Sequence, residues 1–145
     1  MNKLIASFCN CTTGLTLLIL GATYFFSTSF MSYHAQAISQ SWADLETNLQ
    51  QLILVMMKVM AGGYLSTGVF ILCAQYLINK NHQRYLAHLI LICGGIISLT
   101  SGYATILVRL HTPGRPPTLL AIIGACLVAG GYVFNLKMIK SGNAH

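Results

Sequence analysis

The sequence predicts an all-α integral membrane protein, an antiparallel bundle of four transmembrane helices with both termini in the cytoplasm. Three observations carry this reading. The chain is 55% hydrophobic and 7% charged, with a mean hydropathy of +0.68, whereas soluble domains carry about 25% charged residues. It contains four apolar runs of the length, about 20 residues, that crosses a hydrocarbon core of about 30 Å. The connections between the runs are short, which makes sequential helices antiparallel neighbours. The length suits one domain, residues 1–145.

The first span is expected over about residues 12–31, after an opening stretch with Lys3, Cys9 and Cys11. Lys3, the apolar Leu15–Phe26 and Ala35-Gln36-Ala37 also have the order of a secretory leader. The cleavage point would fall beyond the usual 15–30 residues, so a retained anchor is expected. Residues 32–49 form a polar outer loop holding both acids of the chain, Asp44 and Glu46. Within it, Ser41-x-x-Asp44 resembles a capping box, and Trp42, Leu45 and Leu49 make a weak apolar stripe, so a short interfacial helix is predicted. Continuing that helix into the next span exceeds what a bilayer needs, which predicts a bend near Leu49 or a helix protruding into water.

The second span, about residues 50–78, holds a 27-residue run from Leu52 to Ile78 that is almost all apolar or small and contains one cation, Lys58. The polar turn NKNHQR leads to a third span at about 85–110. The loop HTPGRPP (His111–Pro117) then stops one helix and starts the next, since proline disrupts a helix interior and suits a first turn. The fourth span covers about 118–138 and ends in the tail IKSGNAH.

The net charge of +6 comes from eight Lys and Arg against two acids. These cations sit in short loops and at span ends, with no basic patch interleaved with aromatics, so nucleic acid is not an expected partner; the lipid bilayer is. Lys3, Lys80, Arg84, Lys137 and Lys140 gather on one side, Arg109 and Arg115 on the other. The positive-inside rule then places both termini in the cytoplasm of a multi-pass protein.

Small residues recur at helix-contact spacings: Gly62 and Ser66, Ser98 and Gly102, and Gly130 with its neighbours Gly124 and Gly131. In lipid such residues let backbones approach and gain dispersion contacts. Gln51, Lys58, Gly62 and Ser66 share one face of the second span, which is expected to point into the bundle. A buried cation costs about 2.5–3.5 kcal/mol on insertion scales. Two readings of Lys58 stay open: it snorkels to the outer interface, or it faces a polar pocket with His34, Gln51, Tyr103, Arg109 and His111 and binds an anionic or carbonyl-bearing group.

No cofactor is predicted, although two sets of residues stay open as alternatives. Met56, Met57 and Met60, with Met31 and His34, are soft donors of the kind that hold copper, and His34 with His111 lies at one end as a haem would need. Cys9-x-Cys11 lacks the spacing and the second pair of a zinc site, and Cys73, Cys93 and Cys126 read as small apolar residues. No nucleophile elbow, phosphate loop or metalloprotease helix is legible, so an enzyme is not the expected reading.

Three stretches, YHAQAISQSWADL (Tyr33–Leu45), MKVMAGGYL (Met57–Leu65) and YATILVRLHTPGRPPT (Tyr103–Thr118), resemble those of uncharacterised small four-span bacterial inner-membrane proteins. The resemblance implies four helices in a bacterial inner membrane and no activity. Similarity to DoxX-like four-helix proteins is architectural and transfers no residues. The expected function is therefore that of an accessory or interaction subunit, paired with another membrane protein or a second copy. Two alternatives remain: a binder or carrier of a small anionic ligand or lipid in an outer-leaflet pocket around Lys58, and a membrane redox helper using haem, quinone or copper.

Overall fold

A computed structural model describes residues 1–142; the last three residues of the IKSGNAH tail lie outside the described residues. The described chain is all helical: α1 (Asn2–Phe26), α2 (Ser32–Ile38), a single 3-10 turn (Trp42–Asp44), α3 (Thr47–Asn81), α4 (Arg84–His111) and α5 (Thr118–Gly142). Helices α1, α3, α4 and α5 are each long and apolar enough to cross a membrane, as a multi-pass membrane protein requires. They form an antiparallel bundle in which α1 lies along α3 and α5, α4 lies along α5, and α3 meets α4 over a shorter stretch. One end of the bundle carries Met1 and the α3–α4 turn, and the other carries α2 and the α4–α5 loop.

The inner faces repeat at spacings of three and four residues. On α3 the series Met57, Ala61, Tyr64, Gly68, Ile71, Gln75, Ile78 faces inward; on α5 it is Val128, Gly131, Asn135, Met138. This is the seam of left-handed antiparallel bundles, in which each side chain enters a gap on the facing helix. Helices α1 and α3 approach most closely where Gly14 faces Gly68. A Cβ on Gly68 would sit 2.9 Å from the Gly14 carbonyl oxygen, and one on Gly21 would sit 3.1 Å from that of Ala61. On α4, Gly94 receives Val128 and Gly102 lies against Ala121, while Ser98 packs against Gly124.

Four expectations change. Helix α1 begins ten residues earlier than the expected span and stops at Phe26, because Asn10 and Thr13, which look like pre-membrane residues, are buried with partners inside the bundle. The stretch opened by Ser41 is a 3-10 turn, not an α-helix: the Ser41 hydroxyl donates to the Asp44 carboxylate at 2.6 Å instead of capping the backbone. The chain breaks at Leu45–Glu46, and α3 starts afresh at Thr47. Gln50 ties the two pieces together by donating from Nε2 to the carbonyls of Trp42 (2.7 Å) and Leu45 (3.2 Å). At about 52 Å, α3 outruns a bilayer core, and its first turns pack with Phe30, Leu45 and Trp42 beneath α2. Finally, Gln51, Lys58, Gly62 and Ser66 are exposed, and a Cβ on Gly62 would meet nothing within 4 Å. The inward face is the adjacent one, holding Ala61, Gly68 and Gln75. Gly130 is half-buried, with the Cys9 sulfur 3.8 Å from where its Cβ would be.

A tight core of Leu17, Ile71, Ala74, Ile78, Leu86, Ala87 and Ile90 fills the half of the bundle nearer the α3–α4 turn. Embedded in it is a cluster of amides from three helices. Gln75 Oε1 accepts from Asn10 Nδ2 at 2.6 Å and from Asn135 Nδ2 at 2.9 Å. Gln75 Nε2 donates to Asn79 Oδ1 at 3.0 Å and to Asn135 Oδ1 at 3.2 Å. Asn79 Nδ2 continues to the Ser7 hydroxyl at 2.9 Å. Asn10 and Asn135 are wholly buried, and Asn10 Oδ1 has no hydrogen-bond donor. It lies instead against the backbone of Gly131, where a Cβ would come within 2.2 Å. Only a glycine there lets the amide into the seam.

Candidate functional site

The half of the bundle nearer α2 is not filled. A cavity of about 470 Å³ lies between the four long helices and beneath α2, within the 300–1,000 Å³ typical of small-molecule sites. Helix α1 contributes Thr13, Leu17 and Tyr24; α2 contributes Tyr33 and His34; α3 contributes Met60, Gly63 and Tyr64. Helix α4 gives Ser98, Ser101 and Thr105, and the wall closes with Pro116, Pro117 and the first turns of α5. Among the described residues no Lys, Arg, Asp or Glu lines it.

Its polar groups are hydroxyls and one imidazole. The hydroxyls of Tyr24 and Tyr33 hydrogen-bond to each other, and the Tyr64 hydroxyl meets Ser101 Oγ at 3.1 Å. In each pair one oxygen donates, which leaves the other's proton free for a third group. The Tyr24 and Tyr64 rings meet edge to face at 6.0 Å. Thr13 and Thr105 return their hydroxyls to the carbonyls of Cys9 (2.9 Å) and Gly102 (3.0 Å), so these line the wall as methyl groups. Burial and the bond to Tyr24 push the Tyr33 phenol up, and it is neutral at any physiological pH.

His34 lines the cavity from α2. Its Nδ1 accepts the Met31 backbone N–H at 3.2 Å, closing the first turn of α2, so in the neutral ring Nε2 carries the proton. Burial holds the imidazole below its ordinary 6.5. The unfolded chain then takes up the proton first as pH falls, so stability declines from about pH 6.5 downward until the folded imidazole itself titrates. Protonation of Nδ1 also removes the acceptor that ties down α2. A thermal-unfolding series across this window should show the decline in wild type, and His34→Gln, whose side chain fills the same capping role, should flatten it. An unchanged slope in the variant would exclude His34 as its source.

Of the residues singled out from sequence, the structure brings His34, Met60, Ser98 and Gly124 to this cavity and leaves the other candidate ligands outside. Lys58 is exposed; its Nζ donates to the Phe25 carbonyl at 2.9 Å and lies 5.2 Å from the Phe25 ring centroid. It therefore neutralises the negative end of α1 and does not reach a pocket. Gln51, Tyr103 and His111 are exposed, and His111 Nδ1 stays on its own helix, 3.0 Å from the Leu107 carbonyl. Arg109 lines a separate groove of about 540 Å³ with Thr112, Gly114 and Arg115. Met57 is buried while Met56 and Met60 are exposed, so the three thioethers do not converge. The residues that sequence reasoning missed are Tyr24, Tyr33, Tyr64 and Ser101. Tyr64 could have been found from its place seven residues before Ile71 on the inward α3 series, whereas Tyr24 and Tyr33 look like ordinary interfacial aromatics.

Comparisons with family models, with curated proteins and with solved structures find no match for this chain.

Proposed function

We propose that this protein is a membrane-embedded binder of a largely apolar molecule whose uncharged part, carrying a carbonyl or hydroxyl group, is held in the cavity between α1, α3, α4 and α5. One observation carries the reading: a cavity of about 470 Å³, lined by no Lys, Arg, Asp or Glu among the described residues, whose wall holds two hydroxyl pairs, Tyr24–Tyr33 and Tyr64–Ser101, each with a spare proton. Apolar walls with a few convergent hydrogen-bonding groups are the pattern of small-molecule sites. A quinone has this chemistry, and a chromophore carried through purification would identify the redox variant of the same reading. We place the chain in a bacterial inner membrane on the resemblance of its Tyr33–Leu45, Met57–Leu65 and Tyr103–Thr118 stretches, with both termini cytoplasmic on the asymmetry of Lys and Arg between the two ends. The cavity mouth beneath α2 then faces outward.

The test is native mass spectrometry of the protein purified with its lipids. Wild type and Lys58→Ala should retain the same bound molecule, since Lys58 lies outside the cavity. Gly63→Leu adds a side chain where a Cβ meets nothing within 4 Å, so it should fold and displace the ligand, lowering occupancy about tenfold or more. Equal retention in Gly63→Leu, or wild-type protein with nothing bound, refutes the reading.

A second reading, an accessory subunit, is favoured by the open surface around Gly62 on α3, where another helix could approach closely. Its mark is a co-purifying chain, or a second copy, that Gly62→Leu removes.

A further inference from the structure

We infer that Arg109 and Arg115 bind the phosphate headgroup of a single-chain or lipid-like amphiphile whose apolar tail enters the four-helix cavity across Pro116. This deepens the ligand-binding reading above and rests on it. The groove of about 540 Å³ at the α4–α5 loop is lined by both arginines together with Thr112 and Gly114. Pro116 lines this groove on one side and the cavity on the other, so the two spaces adjoin at one buried ring. One space is cationic and open; the other is uncharged and apolar. Side by side they match the two ends of one amphiphile.

Among the described residues the arginines have no acid to pair with. The chain has two carboxylate side chains, Asp44 and Glu46, and these accept from Ser41 (2.6 Å) and Asn48 (3.3 Å). Arg109 stands in the last turn of α4, where a cation offsets the helix dipole unaided. Arg115 has no such role, because it lies in the loop beyond. That loop is fixed: Thr112 Oγ1 donates to the Val108 carbonyl at 2.7 Å and accepts the Gly114 N–H at 3.2 Å. A Cβ on Gly114 would press on Ala37 and the Tyr33 carbonyl, each at 2.9 Å, so the backbone is seated directly on α2. Two guanidinium groups on a fixed scaffold suit the planar, paired hydrogen bonding of phosphate oxygens. They also lie where the apolar part of α4 ends, the depth of lipid headgroups.

The experiment uses the full chain in phosphatidylcholine nanodiscs, titrated with dodecyl phosphate, with dodecanol, and with inorganic phosphate, the retained ligand being read by native mass spectrometry. Wild type should bind dodecyl phosphate, and Arg109→Gln/Arg115→Gln should weaken it about tenfold or more while leaving dodecanol binding unchanged. Arg115→Gln alone, in the loop, should give part of that loss. Equal binding of dodecyl phosphate to wild type and the double variant overturns the headgroup assignment. Inorganic phosphate binding as tightly as dodecyl phosphate overturns the tail and leaves a soluble-anion site. If the double variant loses dodecyl phosphate but Gly63→Leu does not, the arginine site stands and the cavity reading fails. If Gly63→Leu alone loses it, the cavity stands and the arginine site fails.

Discussion

Replacing Gln75 by leucine should destabilise the bundle by about 2–6 kcal/mol, the cost of leaving two buried amides without partners at about 1–3 kcal/mol each. Gln75 is the hub: its oxygen serves Asn10 and Asn135 together, and its nitrogen serves Asn79 and Asn135. No water reaches Asn10 or Asn135, both wholly buried, and in a bilayer the surroundings offer no substitute donor. The asymmetry between losing one partner and losing all gives a second arm. Asn10→Leu/Gln75→Leu/Asn135→Leu removes both wholly buried orphans, leaving only the half-buried Asn79 without its Gln75 donor, and should recover most of the stability, since apolar replacement of a buried polar cluster is often neutral or better. The measurement is unfolding in mixed micelles of rising dodecyl sulfate fraction. A single variant as stable as wild type would show that the amides contribute nothing; a triple variant worse than the single would show that they are needed for shape as well.

Gly68→Ala should cost about 1–3 kcal/mol, the range for overpacking a close-fitted contact, although the same change in an open helix stabilises by about 0.5–1 kcal/mol. The new methyl would lie 2.9 Å from the Gly14 carbonyl oxygen, a backbone atom that cannot swing aside. Gly62 provides the matched control on the same helix, because a Cβ there meets nothing within 4 Å. Gly62→Ala should therefore be neutral or slightly stabilising in the isolated chain. The two variants differ by six positions and by nothing in chemistry, so opposite signs in one unfolding assay would establish which face of α3 looks inward. Equal effects would contradict the arrangement of α1 on α3.

Much of the fold was legible because hydrophobic length is a coarse and strong signal. The four long helices, their order and the antiparallel architecture follow from apolar runs and short connections. Which face of α3 turns inward was not legible, since a helix that is apolar all round gives lipid and protein nearly the same residues. Gly62 and Ser66 are spaced as small residues at a contact should be, yet Ala61, Gly68 and Gln75, seven apart, form the real one. The start of α1 differs for a related reason: Lys3 and Asn10 look like the water side of a boundary, yet Asn10 is a polar residue placed in the interior to meet Gln75. The amides did leave a trace. Asn10, Gln75 and Asn135 each lie one to three turns inside a helix end at the same side of the bundle, and an amide at such depth has to find a partner. The cavity itself was illegible, because an unfilled space comes from how four helices fail to meet and has no residue of its own. Lys58 drew attention as a lone charge, but its job is at the end of α1, not in a site.

The cluster around Gln75 also bears on how the chain enters the membrane. Each of the three amides lies on a different helix, so each helix that leaves the translocon alone carries a polar group into lipid unaccompanied. Helix α1 emerges first and α3 after it, and their meeting allows Asn10 to find Gln75. Asn135 arrives with α5, after α1, α3 and α4, and until then Gln75 holds bonding capacity that α4 does not satisfy. Biogenesis of the bundle is thus weighted toward α5, the piece that completes the polar centre, and quality-control proteases that scan for unpaired intramembrane amides would see an unfinished bundle until it docks.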